Sequence, residues 1–190
     1  MASTVEICNR ALQKLGARRI TSIGEDSVNA RACAAAYDAL RQAELRAHPW
    51  SFSVARASLA EDSVAPEFGK TRSFTVPTDC LRVLPPYPEA NWNSSDWQIE
   101  GKKIYTDDGA PLQIRYVSDV TDPNAMDPLF REALACRLGL ELCEELTQSN
   151  SKKESIRADY TAALREARRI NAIEKIAEVP PEDTWVTVRR

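Results

Sequence analysis

Apolar residues recur every three to four positions at both ends of the chain and every second position in its middle. The first period belongs to helices and the second to strands. Near the start, Cys8, Ala11, Leu12 and Leu15 share one face. Ser3 and Glu6 stand at capping-box spacing ahead of them, and Gly16 follows as a C′ residue. A second helix is predicted from Asp26 or Ser27 to about Ala47, with Cys33, Ala36, Tyr37 and Leu40 as its stripe. A parallel row of Ala32, Ala35, Ala39 and Ala43 suits either helix propensity or the close approach of another helix.

The period changes at HPWSFSVAR, residues 48–56. Pro49 drives His48 out of the helical region. Trp50, Phe52 and Val54 then alternate with Ser51, Ser53 and Ala55, which predicts a strand from Trp50 onward. Further strands are expected in RSFTV before Pro77, in DCLRVL before Pro85, and in the stretch 96–117, which holds turn signals at Glu100-Gly101-Lys102 and Asp107-Asp108-Gly109. The Pro-, Asn- and Ser-rich segment 85–96 reads as a long exposed loop. It carries Trp92, with Tyr87 and Trp97 close by. These aromatics form a contact surface or fold back over the sheet.

Helical periodicity resumes at Asp127-Pro128, an N-cap with proline behind it. Leu129, Ala133, Cys136, Leu140 and Cys143 form one row, and Phe130, Leu134, Leu138, Leu142 and Leu146 another. Two apolar rows predict a central helix buried on more than one side. Ser151 and Glu154 mark a fourth helix reaching about Ala177, with Ile156, Tyr160, Ala163, Ala167 and Ile170 inward. Arg157, Arg165, Arg168, Arg169, Asp159 and Glu166 give it a solvated charged face. After Pro180-Pro181 comes a short β-prone tail of Trp185, Val186 and Val188, ending in Arg189 and Arg190. It docks on its own domain or on a neighbour, and the projecting diproline favours the neighbour.

These elements predict an α+β fold: a four-helix bundle from residues 1–48 and 123–178, an inserted antiparallel β lobe over 49–122, and an extended C-terminal tail over 179–190.

Composition narrows the function. Of 190 residues, 43% are hydrophobic and 28% charged, which suffices for a sizeable core. A net charge of −3 argues against sequence-independent DNA binding, which needs a cationic excess. No apolar run approaches the ~20 residues of a membrane helix, and MASTVEICNR does not resemble a signal peptide. Five scattered cysteines and one histidine make a zinc site improbable, so no metal or cofactor is expected. The cysteines read as buried thiols in a reducing cytoplasm. His48 has no visible catalytic partner and reads as a satisfied polar group beside a packed tryptophan. Phosphate-binding, dinucleotide-binding, zinc-protease and serine-hydrolase motifs are absent, so no enzyme activity is expected. Asp96 with Glu100, or Asp107 with Asp108, is a carboxylate pair of the kind that any acidic chain offers.

Three stretches carry a resemblance: the opening ICNRALQKLG, then ITSIGEDSVNARACAAAYDALRQAELRAHPWSFSVARASLA, and later FTVPTDCLRVL. Together they resemble the tail tubular protein A family, the head-to-tail adaptors of short-tailed phages. The resemblance implies a virion protein at the head-tail junction. It implies a ring, typically of twelve copies, between the portal protein and the tail nozzle protein. DNA would pass through without specific binding, helices would form the ring body, and the strand lobe would face the nozzle. Partner contacts are then expected from the tail residues Trp185, Val186, Val188, Arg189 and Arg190, and from Tyr87, Trp92 and Trp97 of the β lobe. Two other readings compete: a cell-envelope polysaccharide or peptidoglycan hydrolase, and a DNA-packaging factor.

Overall fold

The computed structural model describes residues 2–85 and 97–174. It is mixed α and β, with four helices and two small antiparallel sheets. Helix α1 spans Thr4–Leu15, α2 Val28–Ala47, α3 Pro128–Thr147 and α4 Asn150–Ile173. The strands are β1 (Val54–Leu59), β2 (Arg72–Thr75), β3 (Cys80–Val83), β4 (Gln98–Glu100), β5 (Lys103–Thr106) and β6 (Leu112–Ser118).

The helix boundaries follow the capping chemistry. The Ser3 hydroxyl accepts from the Glu6 amide at 3.1 Å, and Gly16 closes α1 at φ 69°, where a side chain would be strained. Ser27 caps α2, and the Asp127 carboxylate accepts from the Leu129 and Phe130 amides at the start of α3. The expected cap of α4 is corrected by two residues. Gln148 ends α3 in the left-handed region, and Ser149, not Ser151, accepts from the Lys152 amide. One residue of left-handed backbone therefore turns α3 into α4, leaving no room for a later start. The predicted end at Ala177 lies outside the described residues.

Helix α3 is central, packing against α1, α2 and α4. Residues of both its apolar rows are buried, as a helix with neighbours on more than one side requires. At Gly139 an added Cβ would stand 3.6 Å from the Ala11 carbonyl and 3.7 Å from Ile156, so three helices meet where the side chain is absent. The alanine row of α2 does not receive a helix. Ala32 is buried, but Ala35, Ala39 and Ala43 are exposed.

The sheets run β1-β6-β3 and β2-β5-β4. Strand β6 is the divider. Its Leu112, Ile114 and Tyr116 point to one face and Val117 to the other, as the two-residue period demands. Val117 joins the helical core with Trp50, Phe130, Leu134 and Leu84. Leu112, Ile114 and Tyr116 join Leu59, Phe74, Val76 and Ile104 in a second core. Glu100-Gly101-Lys102 makes the expected hairpin, with Gly101 at φ 55°. The turn at Asp107-Asp108-Gly109 makes no hairpin. It carries the chain from β5 in one sheet to β6 in the other.

Helix α2 is tied to the strands by charge. Buried Arg41 donates to the Asp119 carboxylate, to the Val120 carbonyl at 2.8 Å and to Asp38, while Arg46 donates to the Leu81 carbonyl. No described helix is long and apolar enough to cross a membrane.

Candidate functional site

The joint at residues 48–53 is where helix, strand and chain exit converge. Pro49 forces His48 into extended backbone (φ −142°, ψ 138°), ending α2. A strand does not begin at Trp50. Residues Ser51–Ser53 form a single 3₁₀ turn, and β1 starts at Val54. The turn closes because the Ser53 amide and hydroxyl both donate back to the Trp50 carbonyl, at 2.9 and 3.0 Å. That geometry puts Trp50 and Phe52 on the same side, each 5.1 Å from the Phe130 ring. The Trp50 indole is 1% exposed, and its Nε1 donates to the Glu44 carbonyl at 3.1 Å.

Asn171, near the end of α4, orders the joint. Its Oδ1 accepts from the Ser51 amide at 2.8 Å and from the Ser51 hydroxyl at 2.7 Å. Its Nδ2 is then left to donate to His48 Nε2 at 2.9 Å, so that nitrogen carries the lone pair. The His48 ring also meets Trp50 edge-on at 4.7 Å. Asn171 and the Trp50 ring hold His48 in place at the end of α2.

Beside the joint opens a cleft of about 240 Å³, lined by Trp50, Phe52, Met126, Asp127, Asn171 and Glu174. One side is aromatic and apolar, and the rim is acidic. Above it, α4 is tied to α2 by the Tyr160 hydroxyl, which donates to Glu44 at 2.5 Å under the Arg137 guanidinium. Burial, helped by the Glu44 carboxylate, pushes the Tyr160 hydroxyl far above its ordinary range.

The sequence-predicted contact residues divide. Tyr87, Trp92, Trp185, Val186, Val188, Arg189 and Arg190 lie outside the described residues. Trp97 is half-buried against the second core, and its Nε1 donates to Asp108 at 2.6 Å. It covers the sheet. The imagined carboxylate pairs also part company. Asp96 lies outside the described residues. Asp107 is held by the Thr71 amide, its hydroxyl and Lys70, which keep it below its ordinary value. Asp108 is taken by Trp97.

Two features escaped sequence reading. The first is the β1–β2 connection. Asp62 accepts from Lys103, Thr75 and Ser73, which hold its carboxyl below the ordinary range, and Asp107 pins the far end. Between these pins Val64 and Phe68 are presented to solvent, Phe68 at 89% exposure. An apolar pair inside the Pro- and Gly-bearing stretch SVAPEFGK was the available signal. The second is Asn9, inside ICNRAL. Its side chain both donates to and accepts from Ile20, each at 2.8 Å, and so folds the chain after α1 back onto the helix.

Four of the five cysteines are buried, and all five are free thiols. A hydrogen bond with Cys33, together with burial, holds Cys8 as the neutral thiol. Among the described residues, no group of three or more His, Cys, Asp and Glu side chains is placed to hold a metal ion.

No protein-family model matches the chain, and no curated protein aligns with it.

Proposed function

We propose that this chain is a structural head-to-tail adaptor of a phage virion, one subunit of a ring between portal and tail nozzle. The observation that carries the reading is where the resembling residues fall. Asn9 and Gly16 of ICNRALQKLG fix the exit from α1. His48, Trp50 and Phe52 build the joint that orients α2, α3 and α4 around the strands. Asp79 and Cys80 of FTVPTDCLRVL turn the chain into β3, where the Asp79 carbonyl accepts from the Asp119 amide at 2.8 Å. A degenerate pattern spread over the chain gains weight when its members occupy joints.

In this reading the four helices act as a bundle forming the ring body, and the β lobe is an insertion with its own small core. DNA passes through the channel without being gripped. The tail residues Trp185, Val186 and Val188 bind the portal or a neighbouring copy, with Arg189 and Arg190 adding little, since exposed ion pairs contribute roughly 0–1 kcal/mol. No catalysis or cofactor is required.

Particle imaging of the purified chain mixed with the portal protein of its virion tests this. Rings seated on the portal, of typically twelve copies, are expected, and they should weaken when residues 182–190 are deleted. A chain that ignores the portal overturns the adaptor reading.

A further inference from the structure

Two exposed surfaces stand apart from the joint. One is the β1–β2 loop, where Val64 and Phe68 face solvent. The other is the outer face of α4, where Ala158, Thr161 and Ala162 leave an open depression of about 420 Å³ between Arg157 and Arg165. We propose that Phe68 of one copy of this chain docks in the α4 depression of the next copy. In the ring reading, on which this rests, that contact is the seam between neighbouring subunits.

The loop is built to present the ring. Asp62 and Asp107 pin its two ends. Directly after Phe68, Gly69 turns the backbone at φ 85°, which is strained for any side chain. Nothing lies within 4 Å of where a Gly69 Cβ would stand, so the glycine serves the turn rather than a packed neighbour. A loop fixed in this way has little freedom left to lose on docking.

The depression suits an aromatic ring with an acid beside it. Ile156 and Ala167 turn inward on α4, whereas Ala158, Thr161 and Ala162 are exposed and small enough to admit a ring. The flanking guanidinium groups can lie over the ring face, and their aliphatic stems can wall it. Glu67, next to Phe68, supplies the opposite charge. Neither Glu67 nor Arg157 nor Arg165 has an ion-pair partner among the described residues. Glu154 is the one acid lining the depression. Helix α4 carries six Lys and Arg against three Asp and Glu in a chain of net charge −3, so it is a cationic face on an acidic molecule. Such a face repels its own kind and draws an acidic loop.

The occupant comes from another copy. Phe68 is 89% exposed while its loop is pinned to β2 and β5, so it is not seated on its own α4. Knob and depression are different surfaces, and a contact between them is heterologous: it repeats head to tail and closes into a ring when its rotation allows. A contact centred on one aromatic side chain falls well short of the roughly 1,200–2,000 Å² of stable interfaces. Free copies should therefore meet only when concentrated, and a portal would gather them.

The test is photocrosslinking of the full chain in the millimolar range. One set of copies carries p-benzoylphenylalanine in place of Phe68, and the other set is ¹⁵N-labelled, so mass spectrometry separates links between copies from links within one. Links from position 68 to residues 154–165 of the labelled copies are expected. They should fall by roughly tenfold or more when the labelled copies carry Ala162→Arg, which fills the depression, or Arg157→Glu with Arg165→Glu, which reverses its charge. All three positions are exposed, and circular dichroism checks that the variants keep their helices. Links within one copy, links to another surface, no links, or links indifferent to these variants overturn the proposal. Portal imaging of Phe68→Ala is scored separately. Undiminished rings on the portal without links to α4 sink the contact and leave the adaptor reading standing. Links to α4 in a chain that ignores the portal do the reverse.

Discussion

Around Trp50, long helices bury Leu12, Leu45, Phe130, Leu134 and Leu138 almost completely, and one aromatic cluster fixes their approach. Between the two sheets, Phe74, Ile104, Ile114, Leu59 and Leu112 make a far smaller core from strands of three to seven residues. Strands that short cannot hold their connections by apolar burial alone. The structure compensates with carboxylates: Asp62 and Asp107 gather hydroxyls, amides and lysines at the two ends of the β1–β2 loop. The helical region is fixed mainly by shape, and the sheet region is fixed by a small core plus charge-assisted hydrogen bonds. The two should therefore fail under different stresses.

Trp50→Ala gives the sharpest contrast. The indole fills the helical core and donates to Glu44, so its loss should cost about 3–5 kcal/mol. Urea unfolding followed by circular dichroism should show the whole helical signal moving to a lower midpoint. A loss below about 1 kcal/mol would mean that the joint is not the keystone described.

Ile104→Ala probes the other core. Ile104 is fully buried between the sheets, and truncation should cost about 2–5 kcal/mol. Hydrogen exchange should quicken in β2, β4 and β5 before it quickens in α1 and α3. Uniform acceleration would erase the distinction between the two cores.

Acid should separate them further. Asp62 and Asp107 are held below their ordinary values, by the Lys103 contact and by the Thr71 amide respectively. A depressed folded-state value contributes stability that is fully present above the unfolded carboxylate value, near pH 4, and is lost as pH falls through the folded value. The β1–β2 loop amides should thus lose protection below about pH 4 while the centre of α3 keeps its own. Asp62→Asn should mimic the acid effect at neutral pH, by about 1 kcal/mol after allowing for its partial exposure. Glu25 is the helical region's nearest counterpart. Thr21 and Ser27 hold it down to about 2, so its hold on the chain before α2 should be lost only as pH falls toward that value.

The smallest effect is expected at His48. Glutamine can still accept from Asn171 Nδ2, so His48→Gln should shift the unfolding midpoint little and, if the proposed adaptor role holds, leave assembly on the portal intact. A folded variant that loses a measurable activity would refute the structural role.

Much of the helical half was legible in the sequence, because capping and 3.6-residue periodicity are local. Ser3, Gly16, Ser27, Asp127 and Pro128 set boundaries that the fold keeps, and the double apolar row of residues 129–146 identified α3 as central. Local signals failed where a neighbour decided. Alternation at Trp50, Phe52 and Val54 promised a strand, but one turn of 3₁₀ lets both rings meet Phe130. Ser151 had the right spacing for a cap, but the left-handed turn at Gln148 had already committed Ser149.

The sequence by itself determined which residues are helical, where the apolar faces lie and where proline and glycine end an element. Those properties depend on each residue's own backbone and on neighbours within a turn. Only the tertiary structure decided that β5 and β6 belong to different sheets, that Asn171 reaches across 120 residues to Ser51, and that Asp62 and Asp107 pin one loop. Each of these pairs groups that are distant along the chain. Their partners are chosen by which surfaces the packed helices and sheets bring together, and no local periodicity encodes that choice.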